Sequence, residues 1–156
     1  MKIGLCGTMS VGKTTLVNAL KETEQLNTDS TLKGQTVFLA ERCAELMQDN
    51  IITDRTVFDV MAFTMNAKSI PHQDKDIFEK YAKEFVREYD YIFYISPYGL
   101  PIEDNGVRET DEHYRDLIDF TITTLIKRYS HKCNTIEKIS GSTEERIQQI
   151  LTVTGL

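Results

Sequence analysis

The sequence predicts an α/β fold in which a parallel sheet carries helices on both of its faces. Apolar segments that are too short for helices alternate along the chain with longer segments of helical periodicity. Strands that alternate with helices pair in parallel through right-handed crossovers, and the helices then cover both faces of the sheet. The chain has 156 residues, the size of one ordinary domain. We therefore expect residues 1–156 to form a single domain.

The composition is that of a globular protein with an acidic balance. Hydrophobic residues make up 40% and charged residues 27% of the chain, which excludes an intrinsically disordered class. The 18 basic and 24 acidic residues give a formal net charge of −6. Because duplex-binding proteins usually carry a basic excess, this balance disfavours nucleic acid as a partner, although a local basic cleft remains open.

Cysteine usage and hydropathy favour a cytoplasmic protein. The three cysteines share no short spacing, so they form neither a CxxC metal site nor an even set of disulfides, and this suits a reducing compartment. The longest stretch without a charged side chain, Tyr91–Ile102, is too short for a transmembrane helix and contains Pro97. The first residues have no signal-peptide pattern, and we expect no membrane partner.

The first third of the chain predicts two strand–helix pairs. Lys2–Cys6 is a short apolar run that ends at a glycine, and it predicts the first strand. Lys13–Glu22 has its apolar residues on one side and predicts a helix. The apolar run Thr36–Ala40 (TVFLA) predicts a second strand, and Glu41–Asp49 predicts the helix after it.

The middle of the chain continues the alternation. Ile51–Thr53 predicts a short third strand, and Thr56–Ala67 has helical spacing. Lys75–Tyr89 predicts a longer helix, and Tyr91–Ser96 (YIFYIS) predicts a fourth strand that is closed by a proline. The apolar residues of the longer helix, spaced three or four apart, are Ile77, Phe78, Tyr81, Phe85 and Tyr89.

The last third predicts two helices around one strand. Asp111–Tyr129 is helical, Thr135–Ile139 is the fifth strand, and Thr143–Thr152 is the final helix. Ser142 and Glu145 have the spacing of a capping box at its start. Because ligands of open α/β sheets bind at the carboxyl ends of the strands, we expect the chemistry just after the five predicted strands.

A phosphate-binding motif follows the first strand. Gly7-Thr-Met-Ser-Val-Gly12-Lys13-Thr14 fits G-x-x-x-x-G-K-[ST] between an apolar strand and a helix. Backbone amides of such a loop and the helix N-terminus bind phosphate, Lys13 pairs with the β- and γ-phosphates, and the Thr14 hydroxyl can ligate Mg²⁺. The motif predicts ATP and Mg²⁺ as cofactors. The predicted nucleotide-binding residues are Gly7, Thr8, Met9, Ser10, Val11, Gly12, Lys13, Thr14 and Thr15.

Acidic and basic pairs follow the next two strands. Asp54-Arg55 comes after the third strand, where the carboxylate can reach Mg²⁺ or a substrate hydroxyl and the guanidinium can bind a phosphate. Glu41-Arg42 comes after the second strand, so Glu41 can accept a proton from a substrate hydroxyl. The alternatives are a surface ion pair for Asp54-Arg55 and a helix N-terminal glutamate for Glu41.

Aromatic and polar side chains lie in the helix after Arg55. Phe58 and Phe63 could stack on a base or sugar, and Asp59 or Asn66 could form hydrogen bonds to it. Aromatic residues at this spacing more often belong to the core, and we favour that interpretation.

Two later segments are candidates for nucleotide contacts. Residues 97–115 form a Gly/Pro-containing connection with Arg108 and Arg115, and they predict a lid that brings cations onto a triphosphate and excludes water. The alternative is a solvated loop whose arginines pair with neighbouring acids. Gly141 and Ser142, after the last strand, leave room for a flat base or simply begin a helix.

The order of these motifs resembles the small P-loop nucleoside and nucleotide kinases. It combines the phosphate loop, Glu-Arg after the second strand, Asp-Arg-Thr before a helix, and a late Val-Arg-x-x-Asp-x-x-Tyr-Arg stretch. The chain is most similar to the compact AAA-labelled ATPase/kinase group that includes nicotinamide riboside kinase domains. Thymidylate-kinase-like enzymes share the Asp-Arg before a helix, and deoxynucleoside kinases share the acid after the second strand.

The resemblance implies a P-loop NTPase domain with a five-stranded parallel sheet in the order 2-3-1-4-5 and an Arg-bearing lid. It implies that Lys13 and Thr14 serve phosphate and Mg²⁺, and that Asp54 and Arg55 face the acceptor. The remaining implied site residues are Glu41 as a base candidate and Arg108 and Arg115 as lid cations.

These residues predict a Mg-ATP-dependent phosphotransferase that acts on a nucleoside, a (deoxy)nucleoside monophosphate or a similar small acceptor. Two alternatives remain: a kinase acting on a polynucleotide or on a base in DNA, and a bare ATPase. A guanine-specific switch is disfavoured because neither Asp-x-x-Gly nor Asn-Lys-x-Asp occurs. The acceptor, ATP or GTP as donor, Asp54 or Glu41 as base, and a homodimer stay open.

Overall fold

The computed structural model describes residues 1–8, 30–98 and 111–156. The predicted helix Lys13–Glu22, most of the phosphate loop and most of the predicted lid lie outside the described residues. Four of the five predicted strands are present in the described residues, and they form one parallel sheet.

The sheet is parallel throughout. Its strands are β1 (Lys2–Cys6), β2 (Ile51–Thr53), β3 (Tyr91–Ile95) and β4 (Thr135–Ile139). In the described part of the chain the order is β2-β1-β3-β4, with β1 paired to both β2 and β3 and with β4 at an edge. The four strands confirm the sequence prediction within one residue.

Five α-helices alternate with these strands in the described residues. Two of them begin with side-chain capping boxes, including the predicted box of Ser142 and Glu145. The first helix runs directly into a short turn. The third helix continues as a 3-10 helix, Lys83–Glu88. The helices are α1 (Leu32–Glu45), α2 (Val57–Asn66), α3 (His72–Ala82), α4 (Glu112–Tyr129) and α5 (Thr143–Thr154), and a 3-10 turn, Ser130–Lys132, follows α4.

The predicted second strand, Thr36–Ala40, is wrong because these residues form the middle of α1. A five-residue apolar run fits either structure, and the surrounding residues decide for the helix. The Thr31 hydroxyl caps α1 by accepting a hydrogen bond from the backbone N–H of Gly34 at 3.1 Å. Leu39 and Leu46 then fall on one buried side. The predicted helix Glu41–Asp49 is therefore the second half of α1 and the turn after it.

This correction also changes the predicted sheet. The predicted order 2-3-1-4-5 had Thr36–Ala40 at one edge, and removing that strand leaves the observed order. The described sheet thus has four strands rather than five, and Ile51–Thr53 forms its edge beside β1.

Two apolar clusters cover the two faces of the sheet. The larger cluster combines residues of α1, α2, α3 and α4 with the side chains of Cys6, Ile92 and Tyr94. The smaller cluster lies on the opposite face, where Ile150 of α5 packs against apolar strand residues. Helices on both faces confirm this part of the prediction.

The prediction for the face of Lys75–Tyr89 is only partly correct. Phe78 and Tyr89 are buried as predicted, but Ile77 and Tyr81 are 58% and 61% exposed. In α3 the buried side is formed by Phe78 and Ala82, one turn apart, and Ile77 and Tyr81 each precede one of them and lie on the neighbouring, exposed side. In the described ranges, no helix is both long and apolar enough to span a membrane.

Candidate active site

The carboxyl ends of the four strands meet at one edge of the sheet. The register pairs Gly4 with Thr53, and Ile95 with Ile139, so β1, β2, β3 and β4 end at neighbouring positions. Because the strands are parallel, the residues after them emerge together. The structure thereby brings together three predicted site segments, namely Gly7-Thr8, Asp54-Arg55 and Gly141-Ser142.

The phosphate loop begins directly after β1. Gly7 has a φ of 152°, a conformation that favours glycine over residues with a side chain. Its backbone N–H donates a hydrogen bond to Oδ1 of Asp59 at 3.2 Å, and Thr8 is buried. The start of the loop is thus held by the helix that follows β2. Seven predicted nucleotide-binding residues lie outside the described ranges, namely Met9, Ser10, Val11, Gly12, Lys13, Thr14 and Thr15.

Asp54 and Arg55 leave β2 at the same edge and are half-buried. The Arg55 guanidinium lies over the ring of Phe63, with its carbon 5.4 Å from the ring centroid. A cation over an aromatic face is attracted by the ring quadrupole, and the buried ring restricts where the cation can go. The buried ring of Phe63 therefore restricts the position of the Arg55 guanidinium.

Asp54 also fits the predicted magnesium site in its chemistry. Mg²⁺ prefers oxygen ligands and usually takes only one or two carboxylates beside phosphate and water. No cluster of three or more His, Cys, Asp or Glu side chains suited to a metal ion occurs within residues 1–8, 30–98 and 111–156. A magnesium site made of the Asp54 carboxylate, the Thr14 hydroxyl and phosphate oxygens would need only one carboxylate and is compatible with these residues.

The other polar and aromatic candidates of α2 have internal partners. Phe58 and Phe63 are buried, which supports core packing over base stacking. Asp59 is fully buried and accepts three hydrogen bonds. The Asn66 side chain donates to the Thr121 hydroxyl at 2.9 Å and so joins α2 to α4. These residues therefore stabilise the structure around the candidate site through core packing and internal hydrogen bonds.

Glu41 lies at a different place from the one predicted. It is exposed and belongs to the second half of α1, not to the end of a strand. The argument that gave it a position at the edge of the sheet depended on the strand Thr36–Ala40, which is wrong. Its partner in the motif, Arg42, binds Glu45 with Nη2 2.8 Å from Oε1 and Nη1 2.6 Å from Oε2.

Glu45 is a carboxylate near Asp54 that the sequence reasoning missed. Burial raises the pKa of Glu45, Arg42 opposes this, and the charges of Glu41 and Asp54 raise it further. Glu45 is therefore an acid whose charge Arg42 balances and whose ionisation the charges of Glu41 and Asp54 oppose. The Arg-x-x-Glu spacing on α1 was the available signal, because residues three apart on a helix face each other.

A second acid, Asp119 on α4, also lies near this edge of the sheet. The Tyr94 hydroxyl donates a 2.7 Å hydrogen bond to Oδ1 of Asp119. Tyr94 pairs with Cys6 in the sheet, one residue before the phosphate loop. Burial raises the pKa of Asp119, which Asp116 also raises, while Tyr94 and the cations Lys138 and Arg115 lower it. The sequence signal was an acid among the buried positions of α4.

Of the two predicted lid cations, only Arg115 is described. It is half-buried in the first turns of α4, and Asp111 caps this helix by accepting a 2.9 Å hydrogen bond from the backbone N–H of His113. Arg115 lies one turn before Asp119 and contributes to its electrostatic environment. Arg108 lies outside the described residues, so the closing lid stays a prediction.

Gly141 and Ser142 form the entry to α5. The Glu145 carboxylate accepts a 2.7 Å hydrogen bond from the N–H of Ser142, and the Ser142 hydroxyl accepts one from Glu145 at 3.2 Å. Gln149 bonds both the C=O and the N–H of Ser140, at 2.8 and 3.3 Å. An open hollow of about 510 Å³ lies beside this turn, between Gly141 and the first turns of α5. The helix-entry interpretation is confirmed, and base binding stays a prediction.

Comparisons with known proteins identify the fold. No family model matches the sequence, and no curated protein matches it. Two solved structures of deoxyadenosine kinase from M. mycoides match over 99% of both chains. The one with bound dCTP has a TM-score of 0.68 at 20% identity. The one with the products dCMP and a flexible dCDP bound has a TM-score of 0.66 at 17% identity. The chain therefore shares the fold of these deoxyadenosine kinase structures.

Proposed function

We propose that the protein is a Mg-ATP-dependent phosphotransferase that moves the γ-phosphoryl group to a nucleoside, a (deoxy)nucleoside monophosphate or a similar small acceptor. One observation carries the proposal. Gly7, the first residue of the motif, follows the carboxyl end of β1, and Asp54-Arg55 follows the end of the neighbouring strand β2. Such an arrangement supplies a donor site and an acceptor site at one edge of the sheet.

The donor side is assigned to the phosphate loop. In this proposal the backbone amides after Gly7, as far as Thr15, bind the phosphates of ATP, Gly7 sets the direction of the loop, and Lys13 pairs with the β- and γ-phosphates. Thr14 and Asp54 would hold Mg²⁺, which neutralises phosphate charge when bound. Arg108 and Arg115 are proposed as cations that approach the triphosphate.

The acceptor side is assigned to the segment after β2. The acceptor oxygen attacks the γ-phosphorus, the bond to the bridging oxygen breaks, and ADP leaves. For a hydroxyl acceptor the proton passes to a carboxylate. We assign this role to Asp54 rather than Glu41, as the alternative to Mg²⁺ binding by Asp54, because Asp54 follows a strand end. Arg55, held over Phe63, would bind the acceptor's phosphate or the group in transfer.

The structural neighbours support only the class of the acceptor. Those kinases were solved with deoxycytidine nucleotides, so deoxynucleosides and their monophosphates come first among the acceptors to test. The predicted nicotinamide riboside and oligonucleotide acceptors belong in the same panel. The net charge of −6 weighs against an oligonucleotide acceptor.

The test is an acceptor panel with purified protein, Mg²⁺ and ATP or GTP, in which ADP or GDP and the phosphorylated product are both measured. Lys13→Ala should lose about 10²–10³ in rate, equivalent to about 3–4 kcal/mol of transition-state stabilisation. Lys127→Ala is the matched control, because Lys127 is exposed on α4. It should keep the full rate.

The outcomes separate the candidates. ADP release that depends on one class of acceptor supports a kinase and identifies the substrate class. ADP release at the same rate with every acceptor contradicts the acceptor site and supports a bare ATPase. Equal rates for Lys13→Ala and Lys127→Ala contradict the assignment of the phosphate loop.

A further inference from the structure

Asp59 holds two parts of the candidate site with one carboxylate. It is the third residue of α2 and is fully buried. Its Oδ2 accepts hydrogen bonds from the backbone N–H and the hydroxyl of Thr56, both at 2.8 Å. Its Oδ1 accepts the N–H of Gly7 at 3.2 Å. A buried carboxylate is costly unless it is hydrogen-bonded, so this set of donors is what keeps it there.

One of the hydrogen bonds to Asp59, the bond from the N–H of Gly7, is not part of the helix cap. In the capping box of α5, the Ser142–Glu145 contacts are all local to the helix start. In α2 the Oδ2 contacts do the same local work, whereas the contact from Oδ1 reaches a residue 52 positions away. The second oxygen therefore connects α2 to the end of β1.

Both ends of this connection adjoin residues of the proposed function. Gly7 is the first residue of the phosphate-binding motif and leaves β1 with a φ of 152°. Thr56 follows Asp54-Arg55 directly, and its backbone is bonded to the same carboxylate. A shift of Asp59 would thus move the start of the donor site and the end of the acceptor segment together.

We propose that Asp59 is a positioning residue for the phosphate loop, which sets the direction in which the chain leaves β1 and couples it to the Asp54-Arg55 segment. It acts through Gly7 and needs no contact with the nucleotide. The inference rests on the proposed function, since it assumes that the loop binds ATP.

Asp59→Asn tests this role. An asparagine has one acceptor oxygen, which can keep the Thr56 contacts, but its NH₂ group then faces the N–H of Gly7 and donor meets donor. The matched control is Thr31→Ala, which removes the cap of α1 and touches no residue of the site. This control measures how the loss of a helix cap away from the site changes ATP affinity and melting temperature.

The experiment measures the equilibrium Kd for ATP with Mg²⁺ by calorimetry, without any acceptor, alongside the melting temperature of each variant. Asp59→Asn should weaken binding by about tenfold to a hundredfold, as expected when positioning is lost. Thr31→Ala should stay within about twofold of the unaltered protein. Equal affinities in the two variants would overturn the inference, whether both are weakened or both are unchanged.

A measurement on the unaltered protein covers the case in which Asp59→Asn does not fold. The Gly7 amide should exchange slowly with deuterated solvent in ¹H–¹⁵N spectra, because a buried carboxylate accepts its hydrogen bond. Rapid exchange of that amide would overturn the inference. If the unaltered protein does not bind ATP, the proposed function fails as well. ATP binding that is unaffected by Asp59→Asn removes only the inference.

Discussion

The hydroxyl of Tyr94 donates a 2.7 Å hydrogen bond to Oδ1 of Asp119, and both residues are buried. The bond connects β3 to α4 at the edge where the phosphate loop begins. Burial raises the pKa of Asp119 above its ordinary value of 3.8, despite the Tyr94 donor. It also raises the pKa of Tyr94, to which the Asp119 carboxylate contributes. Ionisation of Asp119 is therefore less favourable in the folded protein than in the unfolded chain.

This cost predicts a pH-dependent gain from Asp119→Asn. Between 3.8 and the raised pKa, the folded protein binds more protons at Asp119 than the unfolded chain, so its contribution to the free energy of unfolding falls as pH rises. An asparagine keeps an oxygen for the Tyr94 hydroxyl and carries no charge. We expect Asp119→Asn to be more stable than the unaltered protein at pH 7, and the difference to shrink as pH falls towards 3.8.

Urea unfolding at a series of pH values checks this prediction. Asp76→Asn is the control, because Asp76 is exposed on α3. Its stability difference should be small throughout. A constant loss of stability in Asp119→Asn at every pH would contradict the account and would indicate that the carboxylate is a net stabilising group.

Gly4→Ala should destabilise the protein, because the centre of β1 has no room for a side chain. A Cβ at Gly4 would lie 2.5 Å from Cγ2 of Thr56 and 2.8 Å from Cε1 of Tyr89. Thr56 is held by Asp59, and Tyr89 is buried, so neither can move freely. We expect a loss of about 1–3 kcal/mol or more in the free energy of unfolding.

Gly34→Ala is the matched control for that substitution. Its Cβ would meet only the Thr31 hydroxyl, at 3.4 Å, and Gly34 lies in α1. Replacing a helical glycine by alanine should add about 0.5–1 kcal/mol of stability. Chemical denaturation of both variants measures the contrast. Equal effects in the two variants would contradict the close approach at Gly4.

Three of the four strands could be predicted because each is a short apolar run that is bounded by turn residues or a proline. Thr36–Ala40 has the same local appearance but belongs to α1, since periodicity cannot separate a short apolar strand from one side of a helix. The cap at Thr31 and the four-residue spacing of Gln35 and Leu39 carried the helical signal. The position predicted for Glu41 failed with that strand.

The site could be predicted where its residues follow strands directly, as Gly7 and Asp54 do. It could not be predicted where the contact joins distant parts of the chain. The pattern Thr56-x-x-Asp59 indicates a local helix cap, and nothing in it indicates Gly7 as a third partner. Asp119 was hidden for the same reason, because its partner Tyr94 lies 25 positions earlier on a strand.

Arg55→Ala should reduce activity strongly with little effect on stability. The guanidinium is half-buried over Phe63, and a cation–π contact of this kind contributes about 0.5–1 kcal/mol. Loss of a cation that binds the group in transfer should lower kcat/KM by about 10²–10³. Arg55→Lys should recover little of this, since an ammonium cannot bind phosphate oxygens in the bidentate geometry.

Arg128→Ala is the control for Arg55→Ala. Arg128 also lies over an aromatic ring, 5.9 Å from the centroid of Tyr129, and it pairs with Glu79 away from the candidate site. The two variants should lose comparable stability, and only Arg55→Ala should lose activity. Steady-state kinetics and melting temperatures on both variants measure this. A similar loss of kcat/KM in both would show that Arg55 acts through the fold.

Asp54→Asn and Glu41→Gln decide which carboxylate serves the acceptor. Asp54 follows β2 directly at the edge of the sheet, whereas Glu41 is exposed in the second half of α1. With a hydroxyl acceptor, a general base contributes about 10²–10⁴ in rate, so Asp54→Asn should lower kcat by that factor and Glu41→Gln should stay within about twofold. If Asp54 acts on Mg²⁺ alone, higher Mg²⁺ concentrations should restore the rate. A strong loss in Glu41→Gln with a normal Asp54→Asn would assign the base to α1 instead, and would mean that this exposed carboxylate reaches the acceptor when the nucleotides are bound.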